Sequence, residues 1–111
     1  MRGEEKRNMS FVFQNEWIGF RNLRINTNTK TVFVDDGEVS LTKTEFKVLN
    51  FLISSQKRIY TLEELVLGTW GPVVVTNKTI NTHLSHIRAK IKGVDFKIKI
   101  NRNGQVCIND L

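Results

Sequence analysis

The 111-residue chain has one cysteine, one proline and one tyrosine, and between Leu65 and Val94 it has no aspartate or glutamate. Each scarcity excludes something. Cys107 has no second cysteine to pair with, so no internal disulfide staples the fold, and a lone thiol fits a reducing compartment. No apolar run approaches the roughly 20 residues of a membrane-spanning helix. The longest local cluster is Val73-Val74-Val75, and the polar stretch from Met1 to Ser10 has no signal-peptide core. The expectation is a soluble, cytoplasmic chain, tied to an inner membrane only if an anchor lies downstream of it. Gly-rich phosphate loops and Ser/His/Asp arrangements are also missing, so neither an enzyme, a cofactor nor a small-molecule substrate is expected. His83 and His86 are three residues apart without a neighbouring cysteine or carboxylate motif, which argues against a metal site. Asp35, Asp36 and Glu38 surround a turn, where aspartate serves local hydrogen bonding rather than acid–base chemistry.

The charge is unevenly placed. The formal net charge is +6; residues 1–64 carry ten Lys or Arg against nine Asp or Glu, whereas residues 65–111 carry seven against two. A positive field concentrated in the carboxyl half suits a polyanion, although acidic proteins and anionic lipid would also feel it, so the surrounding architecture must decide. A chain of this length forms one domain and buries roughly two thirds of its unfolded surface.

The amino-terminal third reads as β structure. Phe11 to Phe13, Trp17 to Phe20, Leu23 to Thr27 and Thr31 to Val34 are rich in β-branched and aromatic residues, and the Asp35-Asp36-Gly37 turn leads into Glu38 to Leu41. Val32 and Val34 alternate with Phe33, as in an antiparallel sheet covered on one face. Two helix starts follow. Thr42-Lys43-Thr44-Glu45 and Thr61-Leu62-Glu63-Glu64 are capping boxes, stapled by Leu41 with Phe46 and by Tyr60 with Leu65. The first helix ends around Ser54 to Lys57 and the second near Gly68, before Trp70-Gly71-Pro72 breaks the chain. Trp17 and Trp70 read as packing aromatics rather than stacking platforms.

A third helix spans Thr76 to Lys92, capped by Thr76 or Asn77. Ile80, Leu84, Ile87 and Ile91 form its apolar seam, and Lys78, Asn81, Thr82, Ser85, His86 and Ala89 lie away from the seam, flanked by Arg88, Lys90 and Lys92. Gly93 reads as the C-cap glycine. Period-two alternation then runs through Asp95 to Ile100, Asn101 to Gly104 make a turn, and Gln105 to Ile108 return, with Lys97 and Lys99 on the first strand and Arg102 at the tip. Cys107 alternates with Val106 and Ile108 and is expected to point away from the core as an inert thiol. The expected class is α+β: a winged helix-turn-helix with an amino-terminal antiparallel sheet, a three-helix body and a carboxyl-terminal β-hairpin wing. Residues 1–16 read as a polar lead, 17–41 as the β platform, 42–93 as the helices and 94–109 as the wing, within a domain spanning 17–111.

Three segments, LTKTEFKVLNFL at Leu41 to Leu52, IYTLEELVLGTWG at Ile59 to Gly71 and NKTINTHLSHIRAKI at Asn77 to Ile91, resemble the OmpR/PhoB-type winged-helix effector domain from about Trp17 to Ile108. The resemblance implies a four-stranded amino-terminal sheet and sequence-specific binding of double-stranded DNA, commonly as two copies on tandem repeats. It implies phosphate contacts from Lys78, Thr79, His83 and Arg88, and base contacts from Thr82, Ser85 and His86, with Asn81, Lys90 and Lys92 on the same helix. Lys99 and Arg102 would serve the wing. Gly71, Pro72, Val73, Val74, Val75 and Thr76 match the loop that faces RNA polymerase in activators of that family. Ser85, His86 and Ala89 stand where many relatives carry arginine, and the wing has Asn101-Arg102-Asn103-Gly104-Gln105 in place of Arg-Gly-x-Gly-Tyr. A ToxR-like, membrane-anchored arrangement is one variant of the resemblance, since such proteins begin with the winged helix. A winged-helix protein-interaction module and a non-specific nucleic-acid binder are the alternatives.

Overall fold

Alternation in the first third produces a meander. The structure, a computed structural model, describes residues 12–14 and 16–110; residues 1–11 and 15 of the expected polar lead, and Leu111, lie outside the described residues. Strands β1 (Val12–Gln14), β2 (Trp17–Phe20), β3 (Leu23–Asn26), β4 (Thr31–Val34) and β5 (Gly37–Val39) form one antiparallel sheet in sequence order. The sheet thus has five strands, not the four that the family resemblance implied, and β1 pairs with β2 ahead of Trp17, inside the stretch read as lead. Ile18, Phe20, Leu23, Ile25 and Val32 face the core, while Trp17, Arg24 and Phe33 stack on the outer face, with the Arg24 guanidinium 5.4 Å from the Trp17 ring and 5.7 Å from that of Phe33.

Both capping boxes are formed. Thr42 starts α1 (Lys43–Ser54) and Thr61 starts α2 (Leu62–Thr69), each hydroxyl accepting from the amide three residues on while the glutamate there accepts from the cap amide. Helices α1 and α2 meet at Gly68, where an added Cβ would lie 2.1 Å from the Phe51 ring. Gly68→Ala is therefore expected to destabilise the domain by about 1–3 kcal/mol through overpacking, measurable as a lower denaturant midpoint with an unchanged slope.

Helix α3 (Asn77–Lys90) is capped by Thr76, whose hydroxyl accepts from the Thr79 amide. It ends at Lys90, two residues short of the expected Lys92, and its C-cap is Ile91, the last residue of the apolar seam. Gly93 is not the helix cap and does not adopt a positive φ; its small size is instead matched by Val34, 3.3 Å from where a Cβ would stand. Strands β7 (Phe96–Ile100) and β8 (Val106–Asp110) form the wing. Strand β6 (Ile59–Tyr60), in the loop between α1 and α2, adds a third strand beside β8 that the sequence pattern did not suggest. Cys107 alternates with the core residues Val106 and Ile108 and lies outside the core cluster, yet it is buried, with the Asn101 side-chain amide donating to its Sγ at 3.4 Å.

One core joins the layers: Leu49, Leu52 and Ile53 of α1, Leu65 of α2, Ile80, Leu84 and Ile87 of α3, and Phe96, Ile98, Val106 and Ile108 of the wing pack with the sheet residues. Burying each large aliphatic side chain contributes about 1.5–3 kcal/mol. Asn22 clasps the sheet to the base of the wing: its amide nitrogen donates to the Gly93 carbonyl at 3.0 Å and its oxygen accepts from the Asp95 amide at 3.0 Å.

Candidate nucleic-acid interface

Docking the Ile80, Leu84, Ile87 seam on the core leaves the opposite side of α3 in solvent. Lys78, Thr79, Asn81, Thr82, Ser85, His86, Arg88, Lys90 and Lys92 are all exposed, and His83 is half-buried. Lys78, Asn81, Thr82, Ser85 and His86 line one shallow concavity. The Thr82 hydroxyl donates to the Lys78 carbonyl at 2.9 Å, which commits its polar group to the helix and turns apolar contact over to its methyl. The His83 ring lies 5.8 Å from that of Trp70, whose partly buried indole packs against the core and fixes one flank of the helix.

The other flank of α3 leans on the wing. Arg88 Nη1 donates to the Ile98 carbonyl at 3.2 Å, leaving the rest of its donor fork free to face an anion. Between α3 and β7 runs a groove whose rim holds Arg88, Lys92, Lys97 and Lys99 over a floor of Ile91, Val94, Phe96 and Ile98, and no carboxylate lines it. Helix cations and wing cations therefore form one continuous surface. At the tip, the Asn101 side-chain oxygen accepts from the Asn103 and Gln105 amides, both at 2.9 Å, and Gly104 supplies a φ of +77° that closes the turn. Arg102 is exposed on this pinned turn.

Two groups on the edge of this surface were not separable by sequence reasoning. Glu45, read there only as a capping residue, is almost fully buried beneath α3. Its Oε1 accepts from Lys90 Nζ at 2.7 Å and from the Thr42 amide at 3.0 Å, and its Oε2 lies 3.6 Å from His86 Nδ1. Burial pushes the carboxyl up, but the hydrogen bonds from Lys90 and Thr42 and the lysine charge outweigh it, so Glu45 titrates below its ordinary value. Lys90, grouped with the DNA-contacting cations by helical position, also forms an ion pair with Glu45 at 2.7 Å while its side chain stays 38% exposed.

Residues 36–103 match the family described as "Transcriptional regulatory protein, C terminal". The chain belongs to that family. The transcriptional regulatory protein VxrB of Vibrio cholerae is 36% identical over 77 residues, covering 68% of this chain and 31% of that protein. The phosphate regulon transcriptional regulatory protein PhoB of Klebsiella pneumoniae is 28% identical over 87 residues, covering 78% of this chain and 38% of that protein. The chain thus spans about a third of the length of these curated relatives. The DNA-binding domain of Klebsiella pneumoniae RstA, solved in complex with RstA box, superposes with a TM-score of 0.71 at 21% identity, over 84% of this chain and 97% of that chain, which establishes the shared fold.

Within this transcriptional-regulator domain the connector from α2 to α3 forms a second exposed feature. Val74 is 97% exposed, and Val73 and Leu67 are also largely in solvent, whereas Val75 packs partly against the core. Among the described residues no group of three or more His, Cys, Asp or Glu is placed to hold a metal ion, and no helix is long and apolar enough to cross a membrane.

Proposed function

We propose that this domain is a sequence-specific, double-stranded DNA-binding module of a bacterial, cytoplasmic transcription regulator, with α3 in the major groove and the Arg102 turn near the adjacent minor groove. The observation that carries this reading is the acid-free groove that joins Arg88 of α3 and Lys92 just beyond its end to Lys97 and Lys99 of the wing. In the major groove, Lys78, Thr79, His83, Arg88 and Lys92 would contact phosphates, and Asn81, Thr82, Ser85 and His86 would face base edges. Lys99 and Arg102 would follow the backbone into the minor groove. That the RstA domain, which has the same fold, was solved in complex with RstA box supports DNA as the ligand. Two copies on tandem repeats would present two such surfaces in one direction, and the exposed Val73 and Val74 of the 71–76 loop would be free to meet RNA polymerase. No step of catalysis enters the proposal.

Binding to a randomised duplex library tests it. Lys78→Ala is expected to lower affinity nearly uniformly across sequences, and His86→Ala to change the preferred sequence at one position. A His86→Ala profile identical to wild type would remove that base-reading role. Equal affinity of the wild-type domain for all duplexes would reduce the function to non-specific nucleic-acid binding, and capture of polymerase subunits without any duplex binding would favour an interaction module.

A further inference from the structure

We propose that Asn101 is a positioning residue for the wing, building the turn that carries Arg102 before DNA arrives. This rests on the DNA-binding reading above and adds to it how the tip keeps its shape. The five residues between β7 and β8 include no apolar side chain that could anchor them by packing. Hydrogen bonds centred on Asn101 hold them instead. Its Oδ1 accepts from the Asn103 and Gln105 backbone amides, both at 2.9 Å, and its Nδ2 donates to Gln105 Oε1 at 3.0 Å and to Cys107 Sγ at 3.4 Å. The Asn101 backbone N–H donates to the Gln105 carbonyl at 2.8 Å, and its carbonyl accepts from the Gly104 amide at 3.0 Å. Two donors at the side-chain oxygen and two acceptors at the nitrogen leave the carboxamide one orientation, since a flip would set N–H against N–H.

The gain for Arg102 is entropic. Fixing a backbone loses conformational freedom, and a loop already folded in the free domain does not lose it again on binding. Asn101 closes the turn around residues 102 and 103, and Gly104, at a φ of +77°, takes the left-handed conformation that returns the chain to β8. Arg102 and Asn103 are the exposed members, whereas Asn101, Gly104 and Gln105 are half-buried. Among the described residues Arg102 has no ion-pair partner, so its guanidinium keeps its donors for phosphate or the groove floor. The anchor also reaches inward. Cys107, which accepts from Asn101, is buried and is paired in the sheet with Ile59 of β6 on one side and Lys99 of β7 on the other. The tip is thereby tied to all three strands, and the Arg102 backbone stands in a fixed place beyond Lys97 and Lys99 of β7.

Backbone nitrogen-15 relaxation of the free wild-type domain reads the turn directly. Order parameters of about 0.85 are expected at Arg102, Asn103 and Gly104, and values below about 0.6 there overturn the proposal. This measurement stands even if Asn101→Ala fails to fold. In duplex binding, Arg102→Ala is expected to weaken the wild-type domain about tenfold, the scale of a charge-assisted hydrogen bond. In an Asn101→Ala background the same change should cost no more than about twofold, because the loosened turn has already forfeited the contact. Lys78→Ala, at the start of α3, should cost the same in both backgrounds, a pattern that a general loss of stability does not produce. Gln105→Ala removes one acceptor of Nδ2 but leaves both backbone amides at Oδ1, so it should preserve the full Arg102 effect. An Arg102 effect of equal size with and without Asn101, in a domain that binds specifically, overturns the positioning role and leaves the DNA-binding reading standing. A wild-type domain that binds no duplex overturns both.

Discussion

Raising salt from about 50 to about 200 mM is expected to weaken duplex binding by several hundred-fold. The exposed cations assigned to the backbone are Lys78, Arg88, Lys92, Lys99 and Arg102. Five neutralised phosphates give a slope of about −4.5 in log affinity against log salt, and a fourfold rise in salt then costs a factor of about 500. The individual residues divide in a way that the helical wheel alone does not. Arg102→Ala should reduce the steepness of the slope by about one unit, since the side chain is exposed on a turn pinned by Asn101. Lys90→Ala should leave the slope nearly unchanged, because its ammonium is already paired with Glu45 at 2.7 Å. A slope near zero for the wild-type domain would show that the cationic surface meets no phosphates. A full unit lost on Lys90→Ala would show that the ion pair opens on DNA.

What the chain discloses before folding is what neighbours along it decide. The caps at Thr42 and Thr61 need only a hydroxyl and a glutamate three residues on, so both helix starts were legible. Phe96, Ile98 and their lysine neighbours announced the wing strand by alternation alone. The errors arise where a distant partner intervenes. Ile59–Tyr60 is too short to carry a period and becomes a strand because β8 has an open edge beside it. Gly93 looks like a helix terminator, yet its close neighbour is Val34, a contact that only the packing of the sheet against the wing creates. The site divides the same way. The outward positions of α3 follow from the Ile80, Leu84, Ile87 seam, whereas the fate of Lys90 depends on Glu45, which is 45 residues away in sequence. A capping glutamate and a basic helix face each made sense separately, and no local pattern shows that they touch.

Acid is expected to destabilise the domain partly through that contact, and Glu45→Gln should remove this component. The sign follows from the direction of the shift. Glu45 titrates below its ordinary value of 4.5, so the ionised form is bound more favourably in the folded state than in the unfolded chain. The resulting stability is fully present above about pH 4.5, the unfolded value, and drains away as pH falls through the lower folded value. Glu64 is shifted in the same direction, its carboxylate accepting from Lys57 at 2.6 Å and from the Thr61 amide. It is nearly half exposed, however, and such surface pairs contribute little. The two can be separated by urea unfolding at about pH 7 and about pH 3. At neutral pH Glu45→Gln should lose about 1.5–3 kcal/mol, the range for hydrogen bonds to a charged group, because the amide cannot match the carboxylate toward Lys90 while the Thr42 cap survives. Its stability should then fall less steeply into acid than that of wild type, whereas Glu64→Gln should follow the wild-type acid limb closely. Parallel acid limbs for wild type and Glu45→Gln would show that the buried carboxylate is no better stabilised in the fold than in water. The geometry makes the opposite case, since its oxygens meet an ammonium, a backbone amide and an imidazole at one junction of α1 and α3.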